Sequence, residues 1–345
     1  MTKTLQRAAR PSAATRLKAY TSISTFDKSD PRTVAFTLTK DRLILKGGTY
    51  IAGADSIFKF TNDTPVELPK MGPGADYAIY LCKDGKLRAD VNFTAPKGFT
   101  RSTSRQIGGF HFAPGGNATA QSGGDDKPAI NPYSLWDIKF RPACRDPRGM
   151  ALVQDHFWCD IHLCNNTPEN GTSRFNETIA DYSSPPTIPV SCGGDGTKKY
   201  TSFNWWEAAE VLSAAGKQLL SYDEFAAAAF GTTEGTSANS DPKCTILRPE
   251  FTSRWGIMLV TGNMWTWGRE FSHWPNEKNS GWKDVTQHRG KIFLPSDTSL
   301  VAAIFGGLWG DGGYAGSRSS FWVLYPWYSY NNIGARGRCD HLIHV

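Results

Sequence analysis

The sequence predicts an α+β protein in two units, and three observations carry that reading. Residues 34–113 hold short β-branched and aromatic runs separated by turn signals, with no helical stretch between them. Residues 113–132, APGGNATAQSGGDDKPAINP, are almost all small and polar and mark a boundary. Two amphipathic helical segments then appear, followed by a long Trp- and Gly-rich region without helical periodicity.

The elements follow in order. Residues 1–27 read as a flexible basic arm, because Lys3, Arg7, Arg10, Arg16 and Lys18 face no acidic residue over the first 20 positions. Residues 28–130 form the first unit, with TVAFTLT, TYIAGA, SIFKFT and DYAIYLC as strands of an antiparallel sandwich. Residues 131–345 form the second. WDIKF and FWCDIHLC alternate as strands do. TSFNWWEAAEVLSAAGKQ is a helix capped by Asn204 with Glu207 three residues on and stopped at Gly216. SYDEFAAAAFG repeats the device with Ser221, Glu224 and Gly231.

Composition excludes several classes. There is no apolar run of 18 residues and no signal-peptide core, so membrane insertion and export are not expected. The net charge of +6 is modest, and outside the arm no basic stripe is interleaved with aromatics, so no nucleic-acid partner is expected. The seven cysteines are odd in number and scattered without a CxxC, which argues against a disulfide framework and a zinc site. Cys339-Asp340-His341 is no triad, since neighbours in a strand point to opposite faces. Asp160 and His162 share one strand face, expected to be solvated. Gly193–Gly196 reads as a turn. Asp311, set among glycines, is the one candidate for a structural Ca²⁺, with no further ligand at regular spacing. No catalytic set and no cofactor follow from these residues.

The stretch FWVLYPWYSYNN, 321–332, is half aromatic and carries no charge. It belongs to a set of blocks, GKQLLSYDEFAAAAFG at 216–231, TGNMWTWGREF at 261–271 and FGGLWGDGGYAGSRSSFW with NNIGARGRCDH at 305–341. In this order they resemble the variable proteins of diversity-generating retroelements, which have the C-type lectin fold of the formylglycine-generating-enzyme subclass. DYAIYLCKDGKLRADVNFTAPKGF, IGGFHFAPG and SLWDIKFRPACRDPRGM extend the likeness through the first half, so that it spans about residues 28–345. The family's type member has an additional small β-prism domain at its start, where this chain has the basic arm.

The resemblance implies a non-enzymatic receptor-binding protein, trimeric, placed at a phage tail-fibre tip or in the producing cell's cytoplasm, with a cell-surface protein as its partner. It implies that the C-terminal coding segment, about 305–337, is diversified by miscopied adenines in Asn codons. Carried onto this sequence, the variable ligand-binding positions are Leu308, Gly310, Gly312, Tyr314, Phe321, Val323, Leu324, Tyr328, Tyr330, Asn332 and Ile333. Asn codons miscopied at adenine never become Trp, Lys, Glu, Gln or Met. Residues 301–345 contain no Lys, Glu, Gln or Met. Trp309, Trp322 and Trp327 are unreachable by that route and fall, with Arg318 and Arg336, to the scaffold of the site; Tyr325 is left open. The two-residue spacing of most positions predicts extended chain with variable side chains outward and fixed ones behind. Two other readings remain: an oxidase of the formylglycine-generating type using Cys339, although that subclass uses a cysteine pair in this region, and a structural fibre subunit.

Overall fold

A computed structural model describes residues 25–39, 42–53, 56–275, 281–284, 291–294 and 298–343. The basic arm, up to residue 24, lies outside the described residues. The protein is mostly β with two α-helices, α1 (Trp205–Ala214) and α2 (Tyr222–Ala228), among the described residues.

In the first half, strands Phe26–Asp27, Thr49–Ala52 and Ile57–Phe60 form one antiparallel sheet. Phe36–Thr39, Arg42–Leu45 and Thr64–Pro65 form another. Ala75–Cys82 pairs with both Leu87–Asp90 and Ser104–Ala113. Their inward residues, including Phe26, Phe36, Leu45, Ile51, Ile79 and Ile107, meet in a single core.

The boundary segment is not a free linker. Its amides and carbonyls bond to the second half, from Ala118 N to the Ser253 carbonyl, Gly123 N to Gly231 and Gly124 N to Pro249. One sheet also runs across the boundary. From Ser104–Ala113 it continues through Trp136–Asp137 and Phe140–Pro142 to the last strand, Gly337–Ile343, and then to Phe157–Asp160 and Met150–Val153. Small polar residues look like a spacer in sequence, but they also let backbone approach backbone, and Gly124 would place a Cβ 2.0 Å from the Gly116 carbonyl oxygen.

Both helices begin with the expected reciprocal caps. Asn204 accepts from Trp206 N and Glu207 N while Glu207 accepts from Asn204 N, and Ser221 and Glu224 do the same. Gly216 follows α1 at φ +76, a left-handed position that suits glycine. Helix α1 packs Ala208, Val211 and Leu212 against Trp267, Ala302, Ile304 and Ile333. Helix α2 packs Phe225 and Ala228 against Phe305 and Val260. Both therefore lie behind a second sheet, ordered Ser320–Leu324, Thr298–Phe305, Trp265–Pro275 and Ile333–Gly334.

The expectation of a solvated strand face at Asp160 and His162 is overturned. Phe157–Asp160 lies between two neighbours in a covered sheet, so both its faces are buried. Asp160 is 0% exposed and bonds Lys217 Nζ at 2.5 Å, with Thr172 Oγ1 at 3.1 Å. Burial alone would lower Lys217, but Asp160 outweighs it and the ammonium is held above its ordinary range. Burial pushes the Asp160 carboxyl up, against the pull of Lys217. The ion pair is the state we assign, since neutralising either partner would leave the other charge alone in the core. His162, 1% exposed, packs edge-on to His111 at 5.5 Å.

Candidate functional site: an aromatic cleft at the C-terminal segment

The C-terminal segment crosses the exposed edge of the second sheet and opens a cleft of about 530 Å³. Tyr314, Phe321, Leu324, Tyr328, Asn332 and Ile333 line it, with Asp311, Ser319 and Ser320. Trp265 and Ile304, from the sheet's two inner strands, complete the lining. Of these, Asp311 alone carries a charge, and its carboxylate accepts the Leu308 amide at 2.8 Å. It closes a turn rather than facing outward as a bare anion.

Two tyrosines, Tyr314 and Tyr328, line the cleft, and Tyr325 and Tyr330 lie two or three residues from Tyr328 on the same segment. Tyr314 is 85% exposed, and Tyr325, Tyr328 and Tyr330 are also exposed. Tyr328 and Tyr330 stack on each other at 6.2 Å and 24°. Between them Ser329 turns inward, and its Oγ accepts from Phe203 N at 2.8 Å. The Pro326 carbonyl accepts from Trp205 N at the start of α1, 3.1 Å. These two bonds pin a loop that is not itself a strand.

The expected positions are thus distributed unevenly. Gly310, Val323 and Tyr330 are exposed outside the cleft lining, while Leu308 and Gly312 are half-buried beside it. Ile333 departs from the expected outward face: it is 2% exposed, pairs in parallel with Trp265 and belongs to the α1 core while closing the cleft floor. The extended chain expected over 308–314 is instead a turn followed by a 3-10 helix, Gly312–Tyr314. Ser320–Leu324 keeps the expected alternation in exposure, with Phe321 and Val323 outward, but its pairing is irregular. Ile304 pairs with Phe321 and Ala302 with Leu324, so two steps in one strand (304 to 302) oppose three in the other (321 to 324). This is a β-bulge. Phe321 and Leu324, three positions apart, both line the cleft.

The scaffold residues divide as well. Trp309 packs on Leu163, Ile179, Leu259 and Met264, and its carbonyl accepts from Asn239 N and Ser237 Oγ. Trp322 turns inward onto Phe305 and Tyr222. Trp327 lies 6.0 Å from Trp206, in a run of rings that continues to Phe271 and Trp205. Arg336 is 0% exposed and donates to the carbonyls of Asp160, Ile161, Met258 and Leu259. Arg318 does not stand behind the backbone, because its turn projects it into solvent; its carbonyl accepts from Tyr222 Oη. Trp265, which touches Phe321 at 6.2 Å, was missed as a site residue. Its signal was the block TGNMWTWGREF, where it looks like one more core tryptophan.

A larger cavity, about 870 Å³, opens elsewhere, between residues 73–76 and 91–93 of the first half and the loops around Asp146, Thr172 and Ile188. It contains no residue of the C-terminal segment, and its walls mix acidic and basic side chains. The smaller cleft is the better recognition site, because exposed aromatics on a pinned backbone converge only there among the described residues.

Comparison with known proteins finds relatives over nearly the whole chain. Residues 34–137 match the family described as the Mtd second domain. The chain is 45% identical over 329 residues to the tail fiber receptor-binding protein of Bordetella phage BPP-1, covering 92% of this chain and 85% of that one. Among solved structures it is similar to the Major Tropism Determinant U1 variant, with a TM-score of 0.89, 44% identity, and coverage of 94% of this chain and 88% of the other. The M1 variant gives a TM-score of 0.88 at 45% identity, over 93% and 86% of the two chains. With sequence likeness running nearly its whole length, the chain belongs to the major tropism determinant family of phage tail-fibre proteins.

Proposed function

We propose that this protein is a phage receptor-binding protein, carried on the virion at a tail-fibre tip, that grips a protein on the bacterial surface through the C-terminal cleft and its tyrosine rim. The observation that carries this reading is the exposure of Tyr314, Phe321 and Tyr328 in an almost uncharged cleft, with Tyr325 and Tyr330 exposed on the same segment. Soluble proteins keep such clustered apolar surface small unless it binds something. Tyrosine and phenylalanine give large contact area at small ordering cost, the property antibody loops use. The name of the Bordetella relative supports the same role.

In this reading the scaffold is α+β, with residues 28–130 as a β-sandwich unit and 131–345 as a C-type lectin fold. A core built mostly from residues 26–110 supports that division. The eleven positions are those a retroelement rewrites; the inward anchoring of Trp309, Trp322 and Arg336 supports a fixed frame behind them. Three copies on one fibre would add avidity to modest single-site affinity. No cofactor takes part. The oxidase alternative draws no support from Cys339, which is 4% exposed and lines neither cavity.

The test is the double substitution Tyr328→Ala with Tyr330→Ala. Adsorption to the cognate bacterium should fall at least tenfold while the melting temperature stays within a degree or so, since surface truncations of this kind rarely exceed ~0.5 kcal/mol. Unchanged adsorption would sink the proposal, and unfolding would assign the tyrosines to the core.

A further inference from the structure

Two cysteines far apart in sequence are brought face to face. Strand Phe140–Pro142 pairs with the last strand, Pro142 opposite His341, and Ala143 N continues the ladder by donating to the Asp340 carbonyl at 2.9 Å. The same register two residues on sets Cys144 opposite Cys339. Opposed residues in antiparallel pairs have Cα atoms ~4.5–5.5 Å apart, inside the ~4.4–6.8 Å that a disulfide spans. Both thiols sit in one cluster with Phe140, Met150 and Trp158. Their Sγ atoms lie 3.5 and 3.9 Å from the same Met150 Sδ. The proximity of the two thiols raises Cys339 and lowers Cys144, which favours Cys144 as the thiolate. Cys159, by contrast, is pushed up to about 12 by burial.

We propose that Cys144 and Cys339 form a latent cross-strand disulfide, reduced as the chain is made and closed by a small disulfide oxidant outside the cell. With glutathione disulfide, the Cys144 thiolate attacks one sulfur and one glutathione thiolate leaves. The Cys339 thiol then gives its proton to solvent and attacks the Cys144 sulfur, and the second glutathione leaves. Two protein thiols are oxidised, and one glutathione disulfide is reduced to two thiols. Cys144 is 6% exposed and lines neither cavity, so the oxidant reaches it through local opening beside Arg145 and Asp146, which line the larger cavity. The bond would tie the segment that opens the second half to the strand that follows Arg336. It would close a long loop and so restrict the unfolded chain.

The test uses the full chain in a glutathione redox buffer near pH 8, then thiol counting after acid denaturation and peptide mapping without reductant. The seven free thiols should fall to five, with one linked pair of peptides containing Cys144 and Cys339 and a higher melting temperature. Cys144→Ser should keep all six of its thiols. The treatment is repeated a few degrees below the melting transition, where transient opening admits the oxidant. Seven surviving thiols there, glutathione retained on Cys144, or loss mapping to the half-exposed Cys192 and Cys244 would each overturn the proposal.

Discussion

At the scale of single residues, the interior is decided by pairing and the site by exposure. Lys217→Met would leave Asp160 buried without its counter-ion, at a cost of ~3–5 kcal/mol, read by chemical denaturation. Replacing both, Asp160→Leu with Lys217→Met, should recover most of that loss, because two desolvated charges then disappear together. Around the cleft, glycines differ in what they tolerate. A Cβ on Gly310 meets only the flexible Leu308 Cδ1, at 3.2 Å, whereas Gly312 stands at φ +53. Gly312→Val should therefore cost ~1–3 kcal/mol while Gly312→Asn costs much less, as the left-handed region favours asparagine. Asp160 was not legible as a buried residue: a carboxylate two positions from a histidine reads as a wet face, and its partner lies 57 residues away.

At the scale of elements, local signals were read where local physics decides. Both capping boxes and the stop at Gly216 follow from side chains within a few residues of the helix ends. Ser221→Ala should cost ~1 kcal/mol by thermal melting. Glu224→Ala should cost more, because Glu224 also accepts from Arg338 and so fastens α2 to the last strand. The turn at 308–314 was not foreseen because a period of two assumes unbroken strand, whereas the expected outward pair Phe321 and Val323 is exposed. The turn closed by Asp311 and the bulge opposite Ala303 depend on which partner strand the chain meets, and nothing in FWVLYPWYSYNN announces it.

For the whole molecule, the two halves are continuous: the ladder through Trp136–Asp137 joins them, and apolar clusters take residues from both sides of the boundary, Leu135 with the first-half strands and Val34 and Phe93 with Phe140 and Trp158. His111 and His162 come from opposite sides of that join. Burial first, then His111 and Arg336, hold His162 well below its ordinary value near 6.5. The unfolded chain then takes up a proton that the folded chain refuses, so this stability is complete above 6.5 and is lost as pH falls from there toward the folded value. The melting temperature should drop between pH 7.5 and 5, and His162→Leu should flatten that dependence. Joined by a common sheet, the halves should also melt in a single calorimetric transition.

The cleft floor has a consequence for evolution. Trp265 and Ile304 precede the diversified segment, so on the retroelement reading every variant inherits these two apolar side chains at the base, however Ile333 and the walls are rewritten. The repertoire would not sample chemistry evenly. It would be weighted toward receptors that offer an apolar knob to fill that base, and host switching would amount to changing what surrounds the knob.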